Sequence, residues 1–169
     1  MGIQINISEE AVKLAAKKGD EAFVSLFTDE YRKVLNGPNG DSKIQELNEY
    51  QYFLLEFSIF KSEMDEGGFL QLIQNGYGPY IFRNPFAKYM RLMGVDGLSK
   101  LIYKAQKIYD TNKDDLETER TQEDFLAMYE QYDNMNELDD EFVTHEEKYV
   151  STLAHYIDEH ITDFANIIK

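Results

Sequence analysis

The sequence predicts an all-α fold of about seven or eight helices in a single compact domain over residues 1–169. Apolar residues recur at helical spacing through most of the chain, with polar start signals and glycine stops between the segments. No stretch alternates with period 2, no repeat of 20 to 50 residues is present and no segment is of low complexity. With 43% hydrophobic residues, among them 12 Tyr and 11 Phe, a chain of 169 residues can bury roughly 70% of its unfolded surface. It needs no staple to fold.

In chain order, Ser8 caps a helix with Glu9 and Glu10 in its first turn, Val12 and Leu14 inward, and Lys17-Lys18-Gly19 closing it. A second helix runs from Asp20 to about Asn36, and Gly37–Ser42 (GPNGDS) is a loop. Lys43–Met64 reads as a long helix, apolar on most of its circumference between Tyr52 and Phe60 and so central to the core. Gly67-Gly68, the turn Phe69–Ile73 and Gly76-Tyr77-Gly78-Pro79 make the middle irregular. Pro85 opens a helix from Phe86 to Met93 with Gly94 beyond it, and Leu98–Tyr109 keeps helical spacing. Thr121 and Asp124 resemble a capping box before the stripe Phe125, Met128, Tyr129, Tyr132, Met135. Thr144 and Glu147 form a second box before a terminal amphipathic helix carrying Tyr149, Leu153, Tyr156, Ile157, Ile161, Phe164 and Ile168.

The net charge of −15 is localised. Residues 1–109 carry 14 acids against 13 bases, residues 148–169 carry 3 against 2, and residues 110–147 carry 15 against 2, opposed only by Lys113 and Arg120. Direct binding to nucleic acid or to an anionic membrane needs a cationic footprint, so this charge excludes both and suits a basic protein partner. A plainer reading is a solvated face that keeps the domain soluble. No basic and apolar leader opens the chain and no stretch approaches about 18 uncharged residues, so the expected location is the cytoplasm.

Catalytic chemistry finds few components. There is no cysteine, hence no thiolate nucleophile and no cysteine-based metal site. His155 and His160 are five apart rather than the four that a helical zinc pair uses, and with His145 they read as surface or core-edge residues. Asp110-Thr111-Asn112-Lys113-Asp114 copies the opening of a calcium loop, but Asp115 and Thr121 stand where Gly and a bidentate Glu are needed, leaving at most a weak adventitious calcium site. Glu49, Glu56 and Glu63 recur every seven residues. A carboxylate in apolar surroundings can act as a general acid, although no nucleophile or phosphate loop accompanies this stripe. The expectation is no enzyme, no cofactor and no metal.

Glu63-Met64-Asp65-Glu66-Gly67-Gly68-Phe69-Leu70-Gln71-Leu72-Ile73-Gln74-Asn75 resembles the signature of the DNA-mimic protein family, an all-helical bacterial domain. The family pattern is Glu, then Asn-Gly-Gly-Phe, a Gln two further on, an Asn four after that and a nearby Gly. Glu63, Gly67, Gly68, Phe69, Gln71 and Asn75 match, and Gly78 can supply the last. Glu66 replaces the Asn, and Gly76-Tyr77 replace small hydroxyl residues. Downstream, Met93-Gly94, Arg120 and an acidic helix leading into a Tyr-containing C-terminal helix follow the family layout, so the similarity spans roughly residues 43–165. Physically the motif reads as structural: glycines for close packing, Phe69 for the core, Gln71 and Asn75 for free backbone groups.

The resemblance implies a partner: a basic DNA-binding protein, such as a helix-turn-helix regulator, whose DNA-binding face is occupied by carboxylates. The candidate partner-binding residues are Asp114, Asp115, Glu117, Glu119, Glu123, Asp124, Glu130, Asp133, Glu137, Asp139, Asp140 and Glu141. Two alternatives stand beside it, an immunity or antitoxin protein capping a basic toxin, and an enzyme using Glu56 or Glu63 in a helical pocket. Monomer and homodimer are both compatible with the sequence.

Overall fold

The computed structural model describes residues 2–37 and 40–169, except for the side chain of Asp41. In chain order the elements are β1 (Asn6–Ser8), α1 (Glu9–Lys18), α2 (Asp20–Leu35), α3 (Gly40–Lys43), a 3-10 turn (Ile44–Glu46), α4 (Glu49–Gln74), α5 (Gly78–Phe82), α6 (Phe86–Leu92), α7 (Asp96–Glu117), α8 (Gln122–Gln131), α9 (Asp133–Glu159), α10 (Ile161–Phe164) and β2 (Asn166–Ile168). The fold is all-α apart from two three-residue strands paired in parallel, Asn6 to Asn166 through Ser8 to Ile168. Among the described residues no helix is long and apolar enough to cross a membrane. The chain divides into two compact units: residues 1–58 with 148–169, and residues 59–147.

In the first unit the expected caps form where they are local. Ser8 Oγ accepts the Ala11 N–H at 3.1 Å, with acids first and lysines last along α1. Leu14, expected inward, is 52% exposed, and Ala15 is the buried residue of that helix. α2 buries Phe23, Val24, Phe27 and Tyr31. The Tyr31 hydroxyl donates to the Phe164 carbonyl at 2.8 Å, and the Phe27 and Phe164 rings meet edge to face at 6.4 Å. Pro38 and Asn39 of the expected loop lie outside the described residues, while Gly40–Lys43 forms a helical turn rather than loop. Ile168, expected on the terminal helix, sits on β2: helix gives way at His160, Ala165 is extended, and the last residues pair with β1.

The long helix begins at Glu49, not Lys43, because Asn48 and Gln51 cap it reciprocally. Asn48 Oδ1 accepts the Gln51 N–H at 2.9 Å, and Gln51 Oε1 accepts the Asn48 N–H at 3.0 Å. Asn48 Nδ2 also donates to the Asp163 carbonyl at 2.7 Å. Asn48→Ala therefore strips a helix cap and a long-range bond together, and is expected to cost about 1–2 kcal/mol in urea unfolding. A loss below a few tenths would show that the cap carries no weight.

The second unit is organised around Phe60, whose ring meets Phe69 at 5.8 Å, Phe86 at 5.6 Å and Phe142 at 5.5 Å. Phe69 occupies the core as expected, and stacks on Phe82 at 6.3 Å. Gly67-Gly68 does not end α4. The helix continues to Gln74 through one non-helical residue, Gly68, at φ 76° and ψ −164°. α7 runs past Tyr109 to Glu117 with an irregularity at Asn112, so the calcium-loop lookalike at 110–114 is helix and offers no loop to wrap a cation. The stripe from Phe125 to Met135 is split between two helices at Tyr132. Thr144 starts nothing: it lies within α9, and its hydroxyl bonds back to the Asp140 carbonyl at 2.8 Å.

Candidate protein-interaction surface

The acidic quarter of the chain lies entirely in the second unit, on the end of α7, the link 118–121, α8 and the first half of α9. Each part is anchored by neutral or internally matched contacts. Gln74 Nε2 donates to the Leu116 and Thr118 carbonyls, satisfying the frayed end of α7. Thr121 Oγ1 caps α8 by accepting the Asp124 N–H at 3.2 Å, which is the cap the sequence predicts. The Tyr129 hydroxyl donates to the Gly67 carbonyl at 2.7 Å, and Asn136 Nδ2 donates to the Tyr129 carbonyl, joining α9 to α8.

The twelve candidate carboxylates fall into two groups. Four have partners within the unit. Asp115 accepts from the Tyr132 hydroxyl and from Arg120 at 2.8 Å, and these contacts, the phenol first, hold its carboxyl below the ordinary carboxylate range. Burial and that same carboxylate push the Tyr132 phenol up to about 12. Glu117 accepts from the Tyr109 hydroxyl and lies 3.7 Å from Lys113. Burial first, and then Glu117, raise the Tyr109 phenol. Glu141 pairs with Lys104 at 3.3 Å. Both bases of the quarter, Lys113 and Arg120, are thus engaged inside it.

Asp139 is the fourth. Half-buried on α9, it accepts the Phe69 N–H at 2.9 Å at the Gly68 break, and a Cβ on Gly68 would stand 2.2 Å from its Oδ2. Burial raises its carboxyl to about 6, with Asp140 adding to the rise and the Phe69 N–H opposing it.

The remaining eight, Asp114, Glu119, Glu123, Asp124, Glu130, Asp133, Glu137 and Asp140, are exposed and make no side-chain ion pair among the described residues. Helical spacing puts Asp133, Glu137 and Asp140 on one stripe of α9, and Glu123 with Glu130 on one stripe of α8. Composition does not separate these groups, but the helical period of α9 does so in part. Met135, Leu138 and Phe142 are buried, and Asp139 and Glu146 fall on the same side. Glu146 meets Lys61 at 2.9 Å, and burial raises its carboxyl above the ordinary range.

The motif residues surround the same break. Asn75 Nδ2 donates to Glu63 Oε2 at 2.7 Å across twelve residues, and Gln71 Nε2 donates to Glu66 Oε2 at 3.1 Å. Glu66, the departure from the family pattern, is therefore the acceptor for Gln71. The family model of the DMP19-like protein matches residues 45–160. The chain belongs to the DMP19-like family. DNA mimic protein DMP19 of Neisseria meningitidis serogroup B is 33% identical to it over 129 residues, which cover 76% of this chain and 78% of that protein. The motif at residues 63–75 lies inside the matched span, as does the whole acidic quarter.

Of the glutamate stripe in α4, Glu49 is exposed, Glu56 has no exposed surface and Glu63 is bound to Asn75. The three histidines are exposed, with His160 stacked on Tyr156 at 4.1 Å.

Asp139 also sets a pH dependence. Its folded value lies above the ordinary 3.8, so the native state holds its proton more tightly than the unfolded chain does. The stabilisation this gives is full below about pH 4 and is lost as pH rises through about 6. An amide in place of the carboxyl is neutral at every pH and keeps a carbonyl for the Phe69 N–H. Asp139→Asn is therefore expected to gain on the parent as pH rises from 4 to 7, by up to about 2 kcal/mol in urea unfolding. A stability difference that does not vary with pH would contradict this account.

Proposed function

We propose that the chain is a DNA mimic that occupies the DNA-binding surface of a basic DNA-binding protein, a helix-turn-helix regulator being the natural class. It acts by binding rather than by catalysis, and works in the cytoplasm. The observation that carries this reading is the set of eight exposed carboxylates without an ion pair among the described residues, seven of them on helices and Glu119 in the link between α7 and α8, in a chain of the DMP19-like family. Along α9, Asp133, Glu137 and Asp140 present one charge per roughly 5 Å of rise, against about 3.4 Å per phosphate along one DNA strand. A charged tail of the same composition would lose entropy on docking. These side chains sit on helices that are already ordered, so less is lost. The name of the Neisseria relative, DNA mimic protein, supports the same reading. Glu56, the candidate acid of the enzyme alternative, is closed off from solvent and so from a substrate.

The test is displacement. Proteins of a bacterial lysate are loaded on DNA-cellulose and challenged at constant salt with the purified chain. Release of a specific DNA-binding protein, which leaves the column in complex with the chain, is the expected result. Release of nothing beyond what an equal charge of polyglutamate releases would sink the proposal.

A further inference from the structure

A helix that breaks inside the core leaves donors on one side of the break and acceptors on the other, and these need partners from elsewhere. At Gly68 both kinds are met by side chains from the acidic helices. The Phe69 N–H is taken by Asp139 of α9 at 2.9 Å, and the Gly67 carbonyl by the Tyr129 hydroxyl of α8 at 2.7 Å. We propose that Asp139 is a positioning residue of the acidic surface and not one of its partner-facing charges: with Tyr129 it pins α9 and α8 to the Gly67-Gly68 break, so that the motif in α4 sets where the exposed carboxylates stand. This rests on the DNA-mimic reading for its purpose, but not for its geometry.

Three features carry it. Asp139 accepts a backbone hydrogen bond seventy residues away in sequence, a contact that aims it inward. Gly68 makes room for it, since any Cβ there would overlap both carboxylate oxygens, at 2.2 and 2.5 Å. Asn136 on α9 donates to the Tyr129 carbonyl at the end of α8, so the two pins act on one joined pair of helices. Glu123, Asp124 and Glu130 then take their position from Tyr129, and Asp133, Glu137 and Asp140 from Asp139. The groups facing Asp139 are the Phe69 amide from α4, the Tyr129 phenol from α8 and Asp140 on its own helix.

The experiment uses the full chain without any partner, labelled for NMR, with amide exchange followed at each residue and a pH titration from 4.5 to 8. In the parent, the Phe69 amide shift and the Asp139 carboxyl shift are expected to move with one midpoint. Asp139→Asn keeps an acceptor and removes the charge. It should hold Phe69 exchange within about twofold of the parent and abolish the pH step. Asp139→Ala should speed Phe69 exchange by about tenfold to a hundredfold, and α9 amides with it. Tyr129→Phe should speed α8 alone.

Unchanged exchange in Asp139→Ala, or Asp139→Asn behaving like Asp139→Ala, overturns the proposal. If Asp139→Ala does not fold, the parent titration decides, since a Phe69 amide indifferent to Asp139 overturns it equally. In the DNA-cellulose assay, Asp139→Asn should displace as the parent does. Weakened displacement with α9 exchange intact would return Asp139 to the partner-facing set. Absence of displacement by the parent itself would count against the mimic reading and leave the exchange result standing.

Discussion

Gly68→Ala is expected to destabilise the chain by about 3–5 kcal/mol. Backbone at φ 76°, ψ −164° belongs to a region open essentially to glycine, which costs an alanine about 1–3 kcal/mol. The new Cβ would also displace the Asp139 carboxylate, leaving the Phe69 N–H without an acceptor, and hydrogen bonds to charged groups carry about 1.5–3 kcal/mol. Gly76→Ala is the control. Its φ is likewise positive, 88°, but a Cβ there would meet nothing within 4 Å. That exchange should cost about 1–2 kcal/mol, the backbone strain alone. Urea unfolding of both variants checks the pair. Equal losses at the two positions would mean that displacing Asp139 adds nothing.

Replacing Glu119, Glu123, Asp124, Glu130, Asp133 and Glu137 together by their amides is expected to abolish displacement of DNA-binding proteins while the circular dichroism stays helical. Each of the six is exposed and without an ion pair among the described residues, so the loss is not repaired by release of an internal cation. At about 0.5–1 kcal/mol for each exposed contact, six amount to a weakening of about a hundredfold to ten-thousandfold. Loss of helix-dipole support from Glu123 and Asp124 at the start of α8 and relief of mutual repulsion oppose each other, so stability should move little. Glu141→Gln is the matched comparison, because that carboxylate already faces Lys104. It should leave displacement nearly unchanged. A six-fold variant that still displaces at parental strength would remove the carboxylates from the mechanism.

What could be read from the sequence divides by range. The caps at Ser8 and Thr121 were legible because a cap and its amide lie three residues apart. The same rule misled at Thr144, where the hydroxyl turned back along an uninterrupted helix. Asn48 and Gln51 carry a readable reciprocal pattern, hidden by an expected helix start at Lys43. The β1–β2 pair was beyond reach, since three residues are too few to show alternation and their partners lie 160 positions on. Gly68 read as punctuation, and only packing against Asp139 explains why helix resumes there. The family was legible because its motif is local. The division of the twelve carboxylates was legible only in part: Arg120 and Tyr109 are near Asp115 and Glu117 in sequence, whereas Lys104, Tyr132 and Phe69 reach Glu141, Asp115 and Asp139 through tertiary contacts.

The division of the chain into residues 59–147 and a unit assembled from both flanks has a consequence for biosynthesis. The inner unit is contiguous and has every residue it needs once Glu147 has left the ribosome. The outer unit waits for the segment 148–169, because Tyr31, Asn48, Gln51 and Asn6 all bond to groups at or beyond Asp163. Its loops close over more than a hundred residues, which makes them the entropically expensive ones. The usual order, amino-terminal part first, is thereby reversed: a nascent chain would carry its finished acidic surface while α1 and α2 still lacked the strand and helix that complete their core.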